Sequence, residues 1–114
     1  MTTSTGTKFN QGDIWIARVR FIQDLSKVKA RPVVIVGKNI AHETDVIINP
    51  ITTESPRTDF DIPIINWQKA GLAGPSIIRT SKPLTIIGSE LHKKIGELDP
   101  DDLVKVLQKN RELC

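Results

Sequence analysis

Four β-branched residues in a row, Val33-Val34-Ile35-Val36, constrain this chain more than any other segment. They are entered through Arg31-Pro32 and left at Gly37. Proline has no amide to donate and suits the first position of a strand, so the run predicts a central strand entered from a loop, with Arg31 at the loop–strand junction. The segments on either side follow the same logic. Residues 14–21 alternate, with Trp15, Ala17, Val19 and Phe21 on one face and Ile14, Ile16, Arg18 and Arg20 on the other, which is the period-2 mark of a strand. Trp15 reads as a core anchor. Residues 45–49 form a short strand closed by Pro50, and Ile51-Thr52-Thr53 continues the chain past it. Residues 62–65 carry Pro63 and are assigned to a sheet edge. Residues 76–81 and 84–87 are two more β-branched segments, and residues 95–98 a last extended one. Between them, residues 23–30 and 54–61 read as loops and 67–74 as a turn or irregular excursion, while residues 89–94 suit a turn of helix.

The C-terminus carries the clearest helical signal. Asp99 can cap it, Pro100 fits the first helical position, and Asp101 and Asp102 meet the positive end of the dipole. Leu98 and Leu103 have the spacing of a hydrophobic staple. Leu103, Val106, Leu107 and Leu113 form a stripe that can pack on a sheet. Several short strands with one terminal helix predict a mostly β fold, a small partly closed barrel with a C-terminal α-helix. The 114 residues fit one domain, expected over 12–114, preceded by a flexible Thr/Ser/Gly-rich tail over 1–11.

The formal charge is only +3, from 16 Lys and Arg against 13 Asp and Glu. Its distribution matters more. Arg18, Arg20, Lys27, Lys29, Arg31 and Lys38 crowd residues 18–38 against one acid, Asp24, and such a cluster can meet a polyanion through counterion release. The lone cysteine, Cys114, excludes an internal disulfide. No apolar run resembles a signal peptide or a membrane span, so the expected compartment is the cytoplasm.

The residues also exclude much chemistry. His42 and His92 stand fifty residues apart without a second ligand at metal spacing, so no zinc signature exists. Asp59 and Asp61 alternate in a loop, an ordinary pattern that predicts no metal. No phosphate-binding glycine loop, dinucleotide fingerprint or nucleophile elbow is present, and no cofactor is expected. What remains is Arg31 beside a basic stretch, the hydroxyl pair Thr52-Thr53, and the polar group Arg79, Thr80, Ser81 and Lys82. Guanidinium groups hold a phosphate with two parallel donors, and hydroxyls can donate to its other oxygens. RNA brings its own nucleophile, because the 2′-hydroxyl adjoins the phosphorus. These residues are therefore compatible with a phosphodiester substrate.

Gly12-Asp13-Ile14-Trp15, the strand opened by Arg31-Pro32, Asn49-Pro50-Ile51-Thr52-Thr53, residues 71–79 with Leu84-Thr85-Ile86, and Ile95-Gly96-Glu97-Leu98 before a capped helix resemble, in order and spacing, the MazF/PemK toxins of bacterial toxin–antitoxin pairs. The resemblance runs from about Gly12 to Leu113. It implies an SH3-like barrel of the MazF/CcdB kind and a homodimer. It also implies metal-independent, sequence-selective cleavage of single-stranded RNA to a 2′,3′-cyclic phosphate and a 5′-hydroxyl, and inhibition by a cognate antitoxin protein. By motif, Arg31 would be the principal catalytic arginine, Thr52 would orient the scissile phosphate, and Arg79 would contact the phosphate or a base. Lys27, Lys29, Thr53, Thr80, Ser81 and Lys82 are the expected substrate contacts. Arginine's reference pKa lies above about 12, so an electrostatic role suits Arg31 better than proton transfer. The chain departs from some relatives at Ser81, where they carry an acid, and in residues 23–30, which lack glycine. The alternatives are a CcdB-like, non-enzymatic gyrase poison and a nucleic-acid-binding barrel that does not cleave.

Overall fold

A computed structural model of the chain describes residues 9–21, 24–38 and 45–113, with the backbone alone considered for 19–21 and 24–29. Among the described residues there are seven strands, β1 (Asp13–Phe21), β2 (Asp24–Lys38), β3 (Asp45–Thr52), β4 (Asp61–Pro63), β5 (Ile77–Arg79), β6 (Leu84–Ile87) and β7 (Leu91–Glu97), then helix α1 (Pro100–Glu112). Every pairing is antiparallel, in the order β4-β5-β3-β2-β1-β7. β6 joins the first half of β3, where Asp45 faces Ile87 and Ile48 faces Leu84. The path is open, since β4 and β7 end it without pairing with each other. The expected mostly β fold with one terminal helix is what forms.

The Val33–Val36 run is central, as its β-branched residues predict, because β1 and β3 flank it. Alternation sends its side chains into two cores. Val34 and Val36 join Ile14, Ile51, Ile62, Ile78, Leu98 and Val106 beneath the helix. Val33 and Ile35 join Trp15, Ala17, Val46, Ile48 and Leu91 on the opposite face. The first strand is thus buried on both sides at Ile14 and Trp15, where one-sided burial would leave Ile14 outside the core. Trp15 is a core residue, with Phe9 edge-on at 5.2 Å between ring centroids.

Several boundaries differ from expectation. Residues 24–30 belong to β2 instead of a loop, since β1 and β2 stay laddered from Ile14–Val34 out to Phe21–Asp24. Cross-strand partners supply the hydrogen bonds that a local reading assigns to water. Pro50 does not close β3, which runs on to Thr52. The expected helical turn at 89–94 is a 3₁₀ turn at Gly88–Glu90, and Leu91 already starts β7. Gln11, expected in the tail, donates its side-chain amide to the Val36 carbonyl at 3.0 Å. The edge assignment for the Pro63 segment holds, because β4 ends the sheet.

Helix α1 starts as its caps predict. The Asp99 carboxylate accepts the Asp101 amide at 3.1 Å, and Pro100 opens the first turn. Val106 is fully buried, with Leu103 and Leu107 packed beside it, but Leu113 is 42% exposed and leaves the stripe one turn early. Polar contacts set the docking angle. Buried Asp102 accepts the amides of Ile65 and Asn66, and buried Asn49 exchanges side-chain amide bonds with Asn110 at 2.7 and 3.2 Å. Two glycines allow backbone interlock between the turn after β4 and strand β7. A Cβ on Gly96 would overlap the Ala70 carbonyl, and one on Gly71, whose φ is +88°, would overlap that of Ile95.

Candidate functional site

The β2–β3 register pairs Ile35 with Ile48, Val34 with Asn49 and Val33 with Pro50. Carried two residues further, it sets Arg31 opposite Thr52, and alternation puts both on the face shared by Val33, Pro50 and Ile48. The ladder between the strands has stopped by then, for at Thr52 β3 pairs with Ile77 of β5. Arg31 itself lies within a strand, opposite Ala17 of β1, and not at a loop–strand junction. Its backbone is therefore held on the β1 side, and its side chain is exposed. Half-buried Thr52 accepts the Glu54 amide on Oγ1 at 3.2 Å, which leaves the hydroxyl proton free to donate elsewhere.

Arg79 stands on the same face, one strand beyond Thr52. It lies directly opposite Asp61 of β4, and the residue is 8% exposed, its guanidinium held within an ion-pair network. Nε donates to Asp61 Oδ1 at 3.2 Å, Nη2 to Asp61 Oδ2 at 3.4 Å, and Nη1 to Glu54 Oε1 at 2.9 Å. Burial works to raise the Asp61 carboxyl, but the Arg57 amide at 2.8 Å and the Arg79 side chain outweigh it and hold it below the ordinary carboxylate range. Glu54 is also held low, first by the Arg79 hydrogen bond and then by the Arg57 charge. Burial alone would lower the Arg79 pKa, and its two carboxylate partners raise it. Three of the five guanidinium donors are thus already engaged inside the protein. Asp61, considered from sequence as one of two alternating acids, is the counter-ion of Arg79.

The other expected contacts are scattered. Thr53, Ser81 and Lys82 are exposed, in the turns that follow β3 and β5. Thr80 is fully buried, and both its amide and its hydroxyl donate to the Phe60 carbonyl, at 2.9 and 2.6 Å. An RNA strand has no access to that hydroxyl, so the expectation of a substrate contact there is corrected to a loop anchor. Lys27 and Lys29 lie on the backbone of β2, and their side chains fall outside the described residues. Glu54 and Arg57 were not singled out from sequence. Only the alternating charges of residues 54–61 hinted at them, and a local pattern does not reveal which strand a loop folds across. No group of three His, Cys, Asp or Glu among the described residues is placed to hold a metal ion. No helix among them is long and apolar enough to cross a membrane.

The structure is an open antiparallel sheet with a terminal helix, with Arg31 exposed on β2 and Thr52 half-buried at the end of β3. The chain belongs to the family of PemK-like, MazF-like toxins of type II toxin–antitoxin systems, whose family model matches residues 10–113. Members of this family are generally endoribonucleases. Among solved structures it is similar to the Mycobacterium tuberculosis toxin MazF-mt6, at 26% identity and a TM-score of 0.70, over 88% of this chain and 93% of that one. It also shares its fold with an endoribonuclease solved in complex with its cognate antitoxin from Mycobacterial species, at 21% identity and a TM-score of 0.69, over 91% of this chain and 95% of that one. A MazE-MazF structure from Deinococcus radiodurans matches at 15% identity and a TM-score of 0.66, over 91% and 92% of the two chains. No curated protein sequence matches significantly.

Proposed function

We propose that this chain cleaves single-stranded RNA without a metal ion, acting as a homodimer in the cytoplasm and held inactive by a cognate antitoxin. The 2′-oxygen attacks the adjacent phosphorus, forming the cyclic P–O bond as the P–O5′ bond breaks. The 2′ proton passes to water, and the departing 5′-oxygen takes one from water, so the products are a 2′,3′-cyclic phosphate and a 5′-hydroxyl. Arg31 neutralises the charge that grows on the non-bridging oxygens, and the Thr52 hydroxyl donates to one of them. Both groups act by holding phosphate in line with its own nucleophile, which accounts for much of such catalysis. Arg79 acts from behind Glu54, and Thr53, Ser81 and Lys82, with Lys27 and Lys29, contact the flanking RNA.

The observation that supports this reading is the β2–β3 register, which, continued past its last pair Val33–Pro50, brings Arg31 and Thr52 toward each other on one face. An antitoxin partner is supported by the family's toxin–antitoxin character and by the relatives solved with theirs. The test is incubation of end-labelled RNA with purified protein in excess EDTA. Discrete fragments ending in cyclic phosphate are expected, and none when the cleavage position carries deoxyribose. RNA left intact across varied sequences by folded, antitoxin-free protein would refute the proposal.

A further inference from the structure

Two guanidinium groups converge on one carboxylate oxygen beside the candidate site. Arg79 Nη1 and Arg57 Nη2 both donate to Glu54 Oε1, at 2.9 and 3.2 Å. Arg57 and Glu54 are exposed, whereas Arg79 is held from behind by Asp61. An anion coordinated by two arginines is the arrangement that also binds a phosphate oxygen. The charges here are Arg57 and Arg79 against Asp61 and Glu54, which sum to zero with Glu54 in place and to +1 once it swings out. Glu54 closes the solvent side of the set, its exposed carboxylate bound by both guanidinium groups and its backbone amide by Thr52 Oγ1. On β5, Arg79 lies diagonally across from Thr52, a separation of roughly 7–8 Å that suits the neighbouring phosphate of one strand.

We propose that Arg57 and Arg79 form a second phosphate subsite for RNA, occupied in the free protein by the Glu54 carboxylate, which the RNA backbone displaces. The inference rests on the ribonuclease reading and extends it by naming what the flanking phosphate meets. Glu54 lowers affinity for any strand that cannot also fill the Arg31–Thr52 position, so the subsite favours RNA that spans both. Arg57 is the residue that contacts phosphate most openly, and Asp61 positions Arg79 without touching RNA.

The test uses the full chain and a fluorescein-labelled, sequence-randomised 2′-O-methyl RNA, which binds without being cut, read by anisotropy. Glu54→Gln is expected to tighten binding about 1.5- to 5-fold, the range set by loss of an exposed ion pair. Arg57→Ala is expected to weaken binding and to flatten the slope of log K against log salt by about 0.7, one single-strand phosphate contact. In the Arg57→Ala background, Glu54→Gln should gain clearly less than it does alone. An equal gain in both backgrounds means simple relief of repulsion and overturns the subsite. So does unchanged or weaker binding by Glu54→Gln, with Glu54→Ala as the second variant if the first fails to fold. Tightening toward an oligoglutamate peptide but not toward RNA would assign the arginine pair to a carboxylate-bearing partner and also overturn it. Cleavage of unmodified RNA, assayed in parallel, separates the two readings. Its absence with the binding pattern intact defeats the nuclease reading alone, and normal cleavage without a Glu54→Gln gain defeats the subsite alone.

Discussion

Removing the Asp61 carboxylate should destabilise this protein far more than removing any surface acid. Asp61 accepts two donors from Arg79 and the backbone amide of Arg57, and its side chain is only 2% exposed. Truncating one partner of a buried ion pair strands the other charge, at about 3–5 kcal/mol. Arg79 would keep Glu54, an exposed partner, so Asp61→Ala is placed near the lower end, about 3 kcal/mol. For a domain of this size that corresponds to a fall in Tm on the order of 10–15 °C. Urea and thermal unfolding at neutral pH measure it. Replacing the pair together, Asp61→Leu with Arg79→Met, should recover most of the loss, because no charge is then buried alone. The acid limb gives a second reading. Folding depresses the Asp61 pKa, so its contribution is fully present above the unfolded value near about 4 and fades as pH falls through the lower folded value. The double variant should therefore lose stability less steeply below about pH 4. A cost under about 1 kcal/mol for Asp61→Ala would refute the picture of a buried pair that holds β4 and β5 in register.

Arg31→Lys keeps the charge but loses the forked donor, and Thr52→Val removes the hydroxyl. Each should lower single-turnover cleavage by about 10²–10³-fold, the scale for loss of one transition-state donor, with Tm nearly unchanged for Arg31→Lys because Arg31 is exposed and slightly lowered for Thr52→Val because the Glu54 amide loses its acceptor. Gly96→Ala forces a methyl group into the Ala70 carbonyl, and chemical denaturation should show a loss of about 1–3 kcal/mol or more. Asn110→Ala leaves the buried Asn49 carbonyl oxygen without its partner, so the same measurement should show about 1–3 kcal/mol.

Some features of this chain are written locally and could be read without a structure. The β-branched run at residues 33–36 is a central strand because few alternatives accommodate four such side chains in succession, and Pro63 marks an edge because it cannot donate. Asp99-Pro100 starts the helix because orphan amides at a helix end need an acceptor wherever the helix sits. The order of motifs from Gly12 to Leu113 likewise carries the resemblance to the toxin family in the sequence itself. Tertiary structure decided what depends on partners distant in sequence. Residues 24–30 became strand because β1 supplied their hydrogen bonds, and the Thr80 hydroxyl, buried, was taken up by the Phe60 carbonyl twenty residues away. Arg79 acquired two carboxylates from positions 18 and 25 residues away, and Arg31 took its place within β2 opposite Ala17. Pairing register and side-chain burial are properties of two segments at once, so neither segment's own residues contain them.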